Sequence, residues 1–240
     1  MESGTGVGEI VEKAGNIFTT SCDVLAVTVN TVGDMGAGIA LEAKYRYPDL
    51  ERQYATLCES GAFEIGQLLL WSHSTPKILL FPTKRHWRLP SRMQFVTAGL
   101  DKLVATYRDR GITSLAPPHL GASHGGLAWT DVRHEIELRL SPLPDLYVEV
   151  WEYDPEASDP LFATLRKRLS GLEPDQLRQV MDVKPQAARI IVEILDGSEI
   201  ANMSVFHDAR GLGPVTLKEL YRYGMSDPPA AARQLDFGLL

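Results

Sequence analysis

Only two cysteines, Cys22 and Cys58, occur among the 240 residues. Two thiols cannot make the disulfide framework of a small secreted fold, so a reducing cytoplasm is the expected compartment. Long apolar runs are missing as well. Segments such as Leu68 to Trp71 and Ile78 to Phe81 fall far short of a bilayer span. The opening residues, Met1 to Gly8, have neither the basic nor the apolar region of a secretory signal. Positive charge is in deficit: Lys+Arg number 24 against 31 Asp+Glu, for a net charge of −7. That balance disfavours broad binding to nucleic acid and leaves room only for a local basic patch. Internal repeats and low-complexity segments are absent. What remains is ordinary globular composition, 44% hydrophobic and 23% charged, which excludes disorder, collagen and coiled coil as whole-chain descriptions.

Two regions differ in pattern, and the acidic, proline-bearing stretch EYDPEASDPL from Glu152 to Leu161 separates them. We therefore expect one domain over residues 1–154 and another over 155–240. In the first, strand-like runs alternate with helical spacing. Strands are expected at Glu9 to Lys13, Val24 to Asn30, Gln67 to Trp71, Lys77 to Phe81, Ser114 to Ala116 and Leu146 to Glu152. Several are continuous apolar runs, as strands covered on both faces require. Helices are expected at Gly38 to Tyr47, Ser91 to Arg110 and Thr130 to Leu140. The second is the clearest, with Met93, Val96, Leu100, Leu103 and Tyr107 at three- and four-residue spacing, and Ser91 as its expected cap. This alternation predicts a three-layer α/β domain.

Two glycine-rich turns follow strands and precede helices. In the first, VTVNTVGDMGAGIA (Val27 to Ala40), Asn30 ends a strand and Gly33, Gly36 and Gly38 follow. Glycine permits close ligand approach, and a helix start offers free N–H groups to a phosphate. Asn30 can exchange hydrogen bonds with a sugar hydroxyl. No Gly-Lys-Ser/Thr follows, so this is not a P-loop, and the glycine spacing does not fit a dinucleotide fingerprint. The second turn, APPHLGASHGGLAW (Ala116 to Trp129), holds Gly121, Ser123, Gly125 and Gly126. Loops of this kind gather at the carboxyl ends of sheet strands, where two of them can grip a diphosphate. A tight turn without a ligand is the alternative for each. His119 and His124 lie here, but no ligand-spaced partner points to a metal.

One concentrated cationic segment stands out in this acidic chain. FPTKRHWRLPSR (Phe81 to Arg92) surrounds Trp87 with Lys84, Arg85, His86, Arg88 and Arg92, directly after a strand. Cations hold phosphates and tryptophan stacks on bases or sugars, although a solvated surface loop has the same composition. A neutral lysine amine can also attack an electrophilic carbon such as the anomeric carbon of a ribose.

Together, Asn-x₄-Met-Gly-x-Gly-Ile-Ala, FPTKRHWR-x-PSR and Pro-x-Leu-Gly-x₃-Gly-Gly-Leu-x-Trp resemble macrodomains of the DarG type. These are DNA ADP-ribosyl glycohydrolase antitoxins that reverse modification by a DarT-type toxin. The resemblance covers about residues 9–152, and FPTKRHWR is its most specific part. It implies an α/β/α sandwich around a mixed, mostly parallel sheet, with ADP-ribose as ligand and no metal or other cofactor. It places Asn16 and Ile17 near adenine. Asn30, Met35, Gly36, Gly38 and Ile39 would form one ribose–phosphate loop, and Gly121, Ala122, Ser123, Gly125, Gly126 and Leu127 the other. Lys84 matches the family's catalytic lysine, and Arg85, His86, Trp87 and Arg88 would meet the nucleobase and the DNA strand. Some positions depart from the pattern. Ser123 replaces a glycine, and His124, where relatives vary, is a candidate acid toward the leaving base. Asp34 and Ala37 alter the first loop. No aspartate lies between Gly121 and Trp129, so the lysine–aspartate pair of a related branch is absent.

After Leu161 the pattern is helical only, with three or four short helices expected to residue 224. Gly211-Leu-Gly-Pro214 before a helix is similar to the hairpin of helix-hairpin-helix modules, where glycine amides meet a DNA phosphate. Lys218 and Arg222 would share one face. This region holds ten Lys+Arg and twelve Asp+Glu after residue 154, so it is not basic overall. A helical domain packing on the macrodomain or a partner is the alternative. Ser226 to Leu240 reads as a tail.

The leading expectation is an enzyme releasing ADP-ribose from a nucleobase in DNA, thymine before guanine and preferably single-stranded, paired with a DarT-type toxin and not with a membrane. Its rivals are a hydrolase for ADP-ribosylated protein, a non-catalytic ADP-ribose reader, and a protein whose C-terminal helices sequester the toxin.

Overall fold

The structure is a computed structural model and describes residues 8–197, 199 and 201–226. It divides into two compact units, one ending at Asp154 and the other beginning at Pro155. The first is built on six strands: β1 (Ile10–Gly15), β2 (Val24–Val29), β3 (Leu69–Trp71), β4 (Lys77–Pro82), β5 (Ser114–Ala116) and β6 (Tyr147–Tyr153). Their order in the sheet is β1-β6-β5-β2-β4-β3. All pairings are parallel except β3 with β4. The sheet is therefore mixed and mostly parallel, as expected.

Strand β2 (VLAVTV) shows why the sheet is covered on both sides. Val24 and Ala26 point into one apolar cluster, whereas Leu25, Val27 and Val29 point into another. Helices α3 (Met93–Thr106) and α4 (Trp129–Leu140) cover the first face through Val96, Leu100, Val132 and Ile136. Helices α1 (Gly38–Arg46) and α2 (Pro48–Glu59) cover the second through Ala40, Ala43, Leu50 and Tyr54. This is the three-layer α/β/α arrangement. Gly99 lets α3 approach β4 closely, since a Cβ there would lie 2.3 Å from the Phe81 ring.

Three local expectations need correction. Ser91 does not cap α3: the N-cap position is Arg92, without a side-chain cap bond. Instead Ser91 is turned against the second glycine loop. Helix α2 was not anticipated. Its start is fixed by Pro48 at the first helical position, and Leu50 and Tyr54 bury one face. Strand β3 begins at Leu69 rather than Gln67.

The second unit has five helices among the described residues, more than expected: α5 (Pro160–Leu169), α6 (Pro174–Val180), α7 (Pro185–Gly197), α8 (Ser204–Asp208) and α9 (Pro214–Met225). Proline repeatedly opens them, where its missing N–H costs nothing. Asp159 caps α5 by accepting from Leu161 N at 2.8 Å. Phe162, Leu165, Ile191, Phe206 and Leu220 are buried in this unit. The turn before α9 uses Gly211 at φ +97°. On α9, Lys218 is exposed, but Arg222 is paired with Glu219 and its charge is offset. Most of the expected tail, residues 227–240, lies outside the described residues. Among the described residues no helix is long and apolar enough to cross a membrane.

Candidate functional site

The two glycine loops and the basic segment, far apart in sequence, meet at the carboxyl ends of parallel strands β2, β4 and β5. The first loop follows β2. Its geometry is set by Asn30, which is buried. The Asn30 Oδ1 accepts from Val32 N at 2.9 Å and Asp34 N at 3.3 Å, and Nδ2 donates to Asp34 O at 2.6 Å. Tyr54 Oη from α2 donates to Asn30 O at 2.8 Å and reaches its Oδ1 at 3.1 Å. Burial pushes the Tyr54 phenol up, so it remains a donor at any physiological pH. The Asn30 side chain, read from the sequence as a sugar-binding group, is thus engaged in shaping the loop. Met35 is buried in the core beneath it, which leaves its main chain for any ligand contact. Gly36 lies against the Asp34 carboxylate, Gly38 starts α1 at φ +54°, and Ile39 packs on the core.

The second loop folds back on itself. Gly126 N donates to Ala122 O at 2.9 Å and Leu127 N to Gly121 O at 3.1 Å. Gly121 and Gly126 have φ of +69° and +78°, where side chains are disfavoured. Ser123 and His124 are exposed at the tip. His119, at the loop's start, stacks on Trp129 with centroids 3.6 Å apart, and burial lowers its pKa.

Lys84 links these parts. Its Nζ donates to His124 O at 2.6 Å. The His124 ring in turn stands over the first loop, 3.7 Å from where a Cβ of Gly38 would lie. The basic segment is tied to both loops through its own main chain. Thr31 Oγ1 donates to Arg85 O at 3.0 Å, and Ser91 N donates to Gly125 O at 2.9 Å. Beyond Lys84, the His86 and Trp87 rings stack at 5.4 Å, and the Arg88 guanidinium lies 4.5 Å from the Trp87 ring centroid. Trp87 is 47% exposed, which leaves ring surface available for stacking. Asn16 and Ile17 form a short 3-10 turn after β1, where Asn16 Oδ1 accepts from Phe18 N at 3.0 Å. No hydrogen bond joins this turn to the two loops among the described residues.

Sequence reasoning missed Ser91, Tyr54 and Thr31, which position the loops, because their partners lie on distant segments. It also missed Glu149 on β6, a buried carboxylate. Lys13 Nζ, Thr20 Oγ1, Tyr147 Oη and Trp151 Nε1 all donate to it. Burial alone would raise its pKa, but the hydrogen bonds from Lys13 and Thr20 outweigh burial and lower it. Among the described residues no group of three or more His, Cys, Asp or Glu side chains is gathered as metal ligands.

A strand-end cleft of two glycine loops facing a basic, aromatic segment is the arrangement of a phosphate-binding α/β/α domain. The macro domain family model matches residues 26–136. The solved macrodomain of Thermus aquaticus DarG is 40% identical, with a TM-score of 0.58, covering 60% of this chain and 99% of that one. The macrodomain of Mycobacterium tuberculosis DarG is 36% identical, also with a TM-score of 0.58, and 97% of it is covered. The chain belongs to the macrodomain family, in its DarG branch. A curated relative from Thermus aquaticus, named DNA ADP-ribosyl glycohydrolase, is 41% identical over 145 residues, 59% of this chain. A protein of the same name from Mycobacterium tuberculosis is 39% identical over 141 residues. In each case the match spans only 40% of the relative's length.

Proposed function

We propose that this chain is a DNA ADP-ribosyl glycohydrolase, cleaving the N-glycosidic bond between ADP-ribose and a nucleobase, and that it serves as antitoxin to a DarT-type ADP-ribosyltransferase. The observation that carries the reading is Lys84. It sits on the basic segment FPTKRHWR, and it is held against the second glycine loop at the cleft. The relatives named DNA ADP-ribosyl glycohydrolase support the substrate class. The partner class is supported by a Thermosipho africanus relative, 35% identical over 137 residues, named as a fusion of a DNA ADP-ribosyl transferase with a DNA ADP-ribosyl glycohydrolase. A solved structure titled Thermosipho africanus DarTG in complex with ADP-ribose, 32% identical with a TM-score of 0.55, adds to both.

In this reading the loops around Gly36, Gly38, Gly121, Gly125 and Gly126 hold the diphosphate and distal ribose through main-chain N–H groups. Asn16 and Ile17 take the adenine end. Lys84 serves the reaction as nucleophile at the anomeric carbon or as a fixed charge, and His124 protonates the departing base. Trp87, His86 and the neighbouring arginines hold the base and strand, which favours a single-stranded substrate whose bases are free to stack. A reducing cytoplasm is the setting.

The test is release of ADP-ribose from a single-stranded oligonucleotide modified on thymine, with guanine-modified DNA and a modified protein in parallel. Wild type should release ADP-ribose from DNA, and Lys84→Ala should be slower by about 100-fold or more. Absence of release from any DNA would refute the reading. Release from protein alone would establish a protein hydrolase, and binding of free ADP-ribose without turnover a reader.

A further inference from the structure

A second cationic pocket lies beside the cleft and shares no lining with the glycine loops. It is bounded by Arg85, Leu89, Pro90, Arg92, Gln94 and Phe95, and its volume is about 320 Å³. Two guanidiniums border one aromatic ring there: Arg85 Cζ lies 5.8 Å and Arg92 Cζ 5.9 Å from the Phe95 ring centroid. Among the described residues neither arginine has a carboxylate partner, nor does Arg88. Elsewhere in the same unit Arg46, Arg52, Arg108, Arg133 and Arg139 each pair with a carboxylate. Of the unit's other arginines only Arg110 lacks a carboxylate among the described residues, and it donates to Leu68 O at 3.1 Å, so the arginines without a carboxylate cluster in this segment. The pocket also opens on the start of α3, whose first turn has no acidic residue and no side-chain cap. The positive end of that fourteen-residue helix adds to the same field.

Such charge needs an anion, and the pocket's other walls narrow the class. Leu89, Pro90 and Phe95 are apolar and offer van der Waals contact to a sugar. Arg85, Arg92 and the Gln94 amide are donors only or donor-rich, and suit phosphate oxygens. Arg85 adjoins Lys84 in the chain, so the pocket borders the segment that carries Lys84. We infer that this pocket binds the phosphodiester of the nucleotide next to the modified one, with Arg92 as the residue that makes the chain prefer a DNA strand over a lone modified nucleoside. The inference rests on the glycohydrolase reading for its substrate, but it can be tested without turnover.

The experiment uses the full chain and a fluorescein-labelled single-stranded thymine oligonucleotide of about twelve nucleotides, with binding followed by fluorescence anisotropy across a salt series. Arg92 makes no side-chain hydrogen bond among the described residues, so Arg92→Gln leaves the fold's network intact. It should weaken binding about 5- to 10-fold. The slope of log affinity against log salt should fall by about 0.7, the value of one phosphate contact on a single strand. Gln94→Glu, which puts a charge of the phosphate's own sign in the pocket, should weaken binding at least as much. An oligonucleotide with methylphosphonate linkages should bind wild type more weakly, and Arg92→Gln should add little to that loss. No measurable binding by wild type, or an unchanged affinity and slope in Arg92→Gln, overturns the proposal. So does an equal loss of affinity for free ADP-ribose measured by calorimetry, because the arginine would then serve the cleft's own diphosphate. If strand binding depends on Arg92 but no DNA substrate is hydrolysed, the pocket stands and the enzyme reading falls.

Discussion

Replacing Gly125 with alanine isolates the second loop from the rest of the fold. A Cβ at Gly125 would stand 2.1 Å from Gly121 O, 2.7 Å from Gly121 C and 2.3 Å from Ser91 Oγ. The serine hydroxyl can rotate away, but Gly121 O is main chain and accepts from Leu127 N, so the loop itself has to open. Forcing one methyl into a packed site costs about 1–3 kcal/mol. The Ser91 N to Gly125 O bond crosses the same junction, and its loss adds about 1 kcal/mol. Loop opening relieves the clash, so most of the cost should appear as lost ligand binding rather than as lost global stability. At about 1.4 kcal/mol per decade, affinity for ADP-ribose should fall about 10- to 100-fold. Gly126 is the matched control. Its φ is +78°, but nothing lies within 4 Å of the position its Cβ would take. Gly126→Ala therefore carries only backbone strain of about 1–2 kcal/mol, with no wall to push. Calorimetric titration of ADP-ribose into both variants decides the matter. Affinity within twofold of wild type for Gly125→Ala, or a greater loss for Gly126→Ala, refutes the geometric argument.

Two further variants probe what supports the site. Gly99→Ala drives a methyl to within 2.3 Å of the Phe81 ring, which is itself buried, so it should destabilise the sheet unit by about 1–3 kcal/mol in urea unfolding; a loss under 0.5 kcal/mol would mean that α3 yields freely. Glu149→Gln leaves donors unmatched around a buried group and should cost about 2 kcal/mol near neutral pH. The folded pKa of Glu149 lies below its ordinary 4.5, so the charged form's contribution is complete above that value and is lost as pH falls through the folded pKa. Lys13 shifts upward, chiefly through its hydrogen bond to Glu149, so its share persists until pH rises past 10.5. The gap between wild type and Glu149→Gln should thus be constant from pH 6 to 8 and narrow below about pH 4; a gap independent of pH would show that charge is irrelevant there.

The strands were legible because β2 and β4 are apolar but for Thr28 and Lys77 and lie between covered faces. Helix α3 was legible because its buried positions recur at helical spacing. Helix α2 carries a comparable signal, with Leu50, Tyr54 and Leu57 four and three residues apart. Pro48 and the polar run Glu51 to Gln53 mask that signal. The cleft was legible as composition, not as geometry. Glycines and cations marked its segments, whereas the bonds that join the loops to one another and to the basic segment connect residues distant in sequence. Asn30 could not be seen as a loop organiser, because its partner Tyr54 lies on the unanticipated helix. Ser91 reads as a cap from its place after Pro90, yet contact with Gly121 and Gly125 gives it a different use. Glu149 sits within an apolar strand, and its donors come from β1 and the turn after it as well as from its own strand.

The bond from Lys84 Nζ to His124 O bears on how the proposed reaction proceeds. A lysine donating to a carbonyl is suited to act as a charge, stabilising the diphosphate side of the cleft or the base as it leaves. A lysine attacking the anomeric carbon needs its lone pair directed at that carbon, so it has to turn away from the His124 carbonyl. The two roles predict different products in a trapping experiment. Attack by the amine forms a carbon–nitrogen bond to the ribose as the bond to the base breaks. Ring opening then gives an iminium that borohydride reduces to a stable adduct on Lys84. An electrostatic lysine leaves no adduct, and Lys84→Arg, which keeps the charge but not a nucleophilic amine, should retain part of the activity. Because His124 contributes only its main-chain oxygen to this bond, His124→Ala should preserve the lysine's position while removing the imidazole. Any loss in that variant therefore reports on protonation of the leaving base rather than on the placement of Lys84. An adduct on Lys84 together with an inactive Lys84→Arg would refute the electrostatic role that the observed hydrogen bond favours.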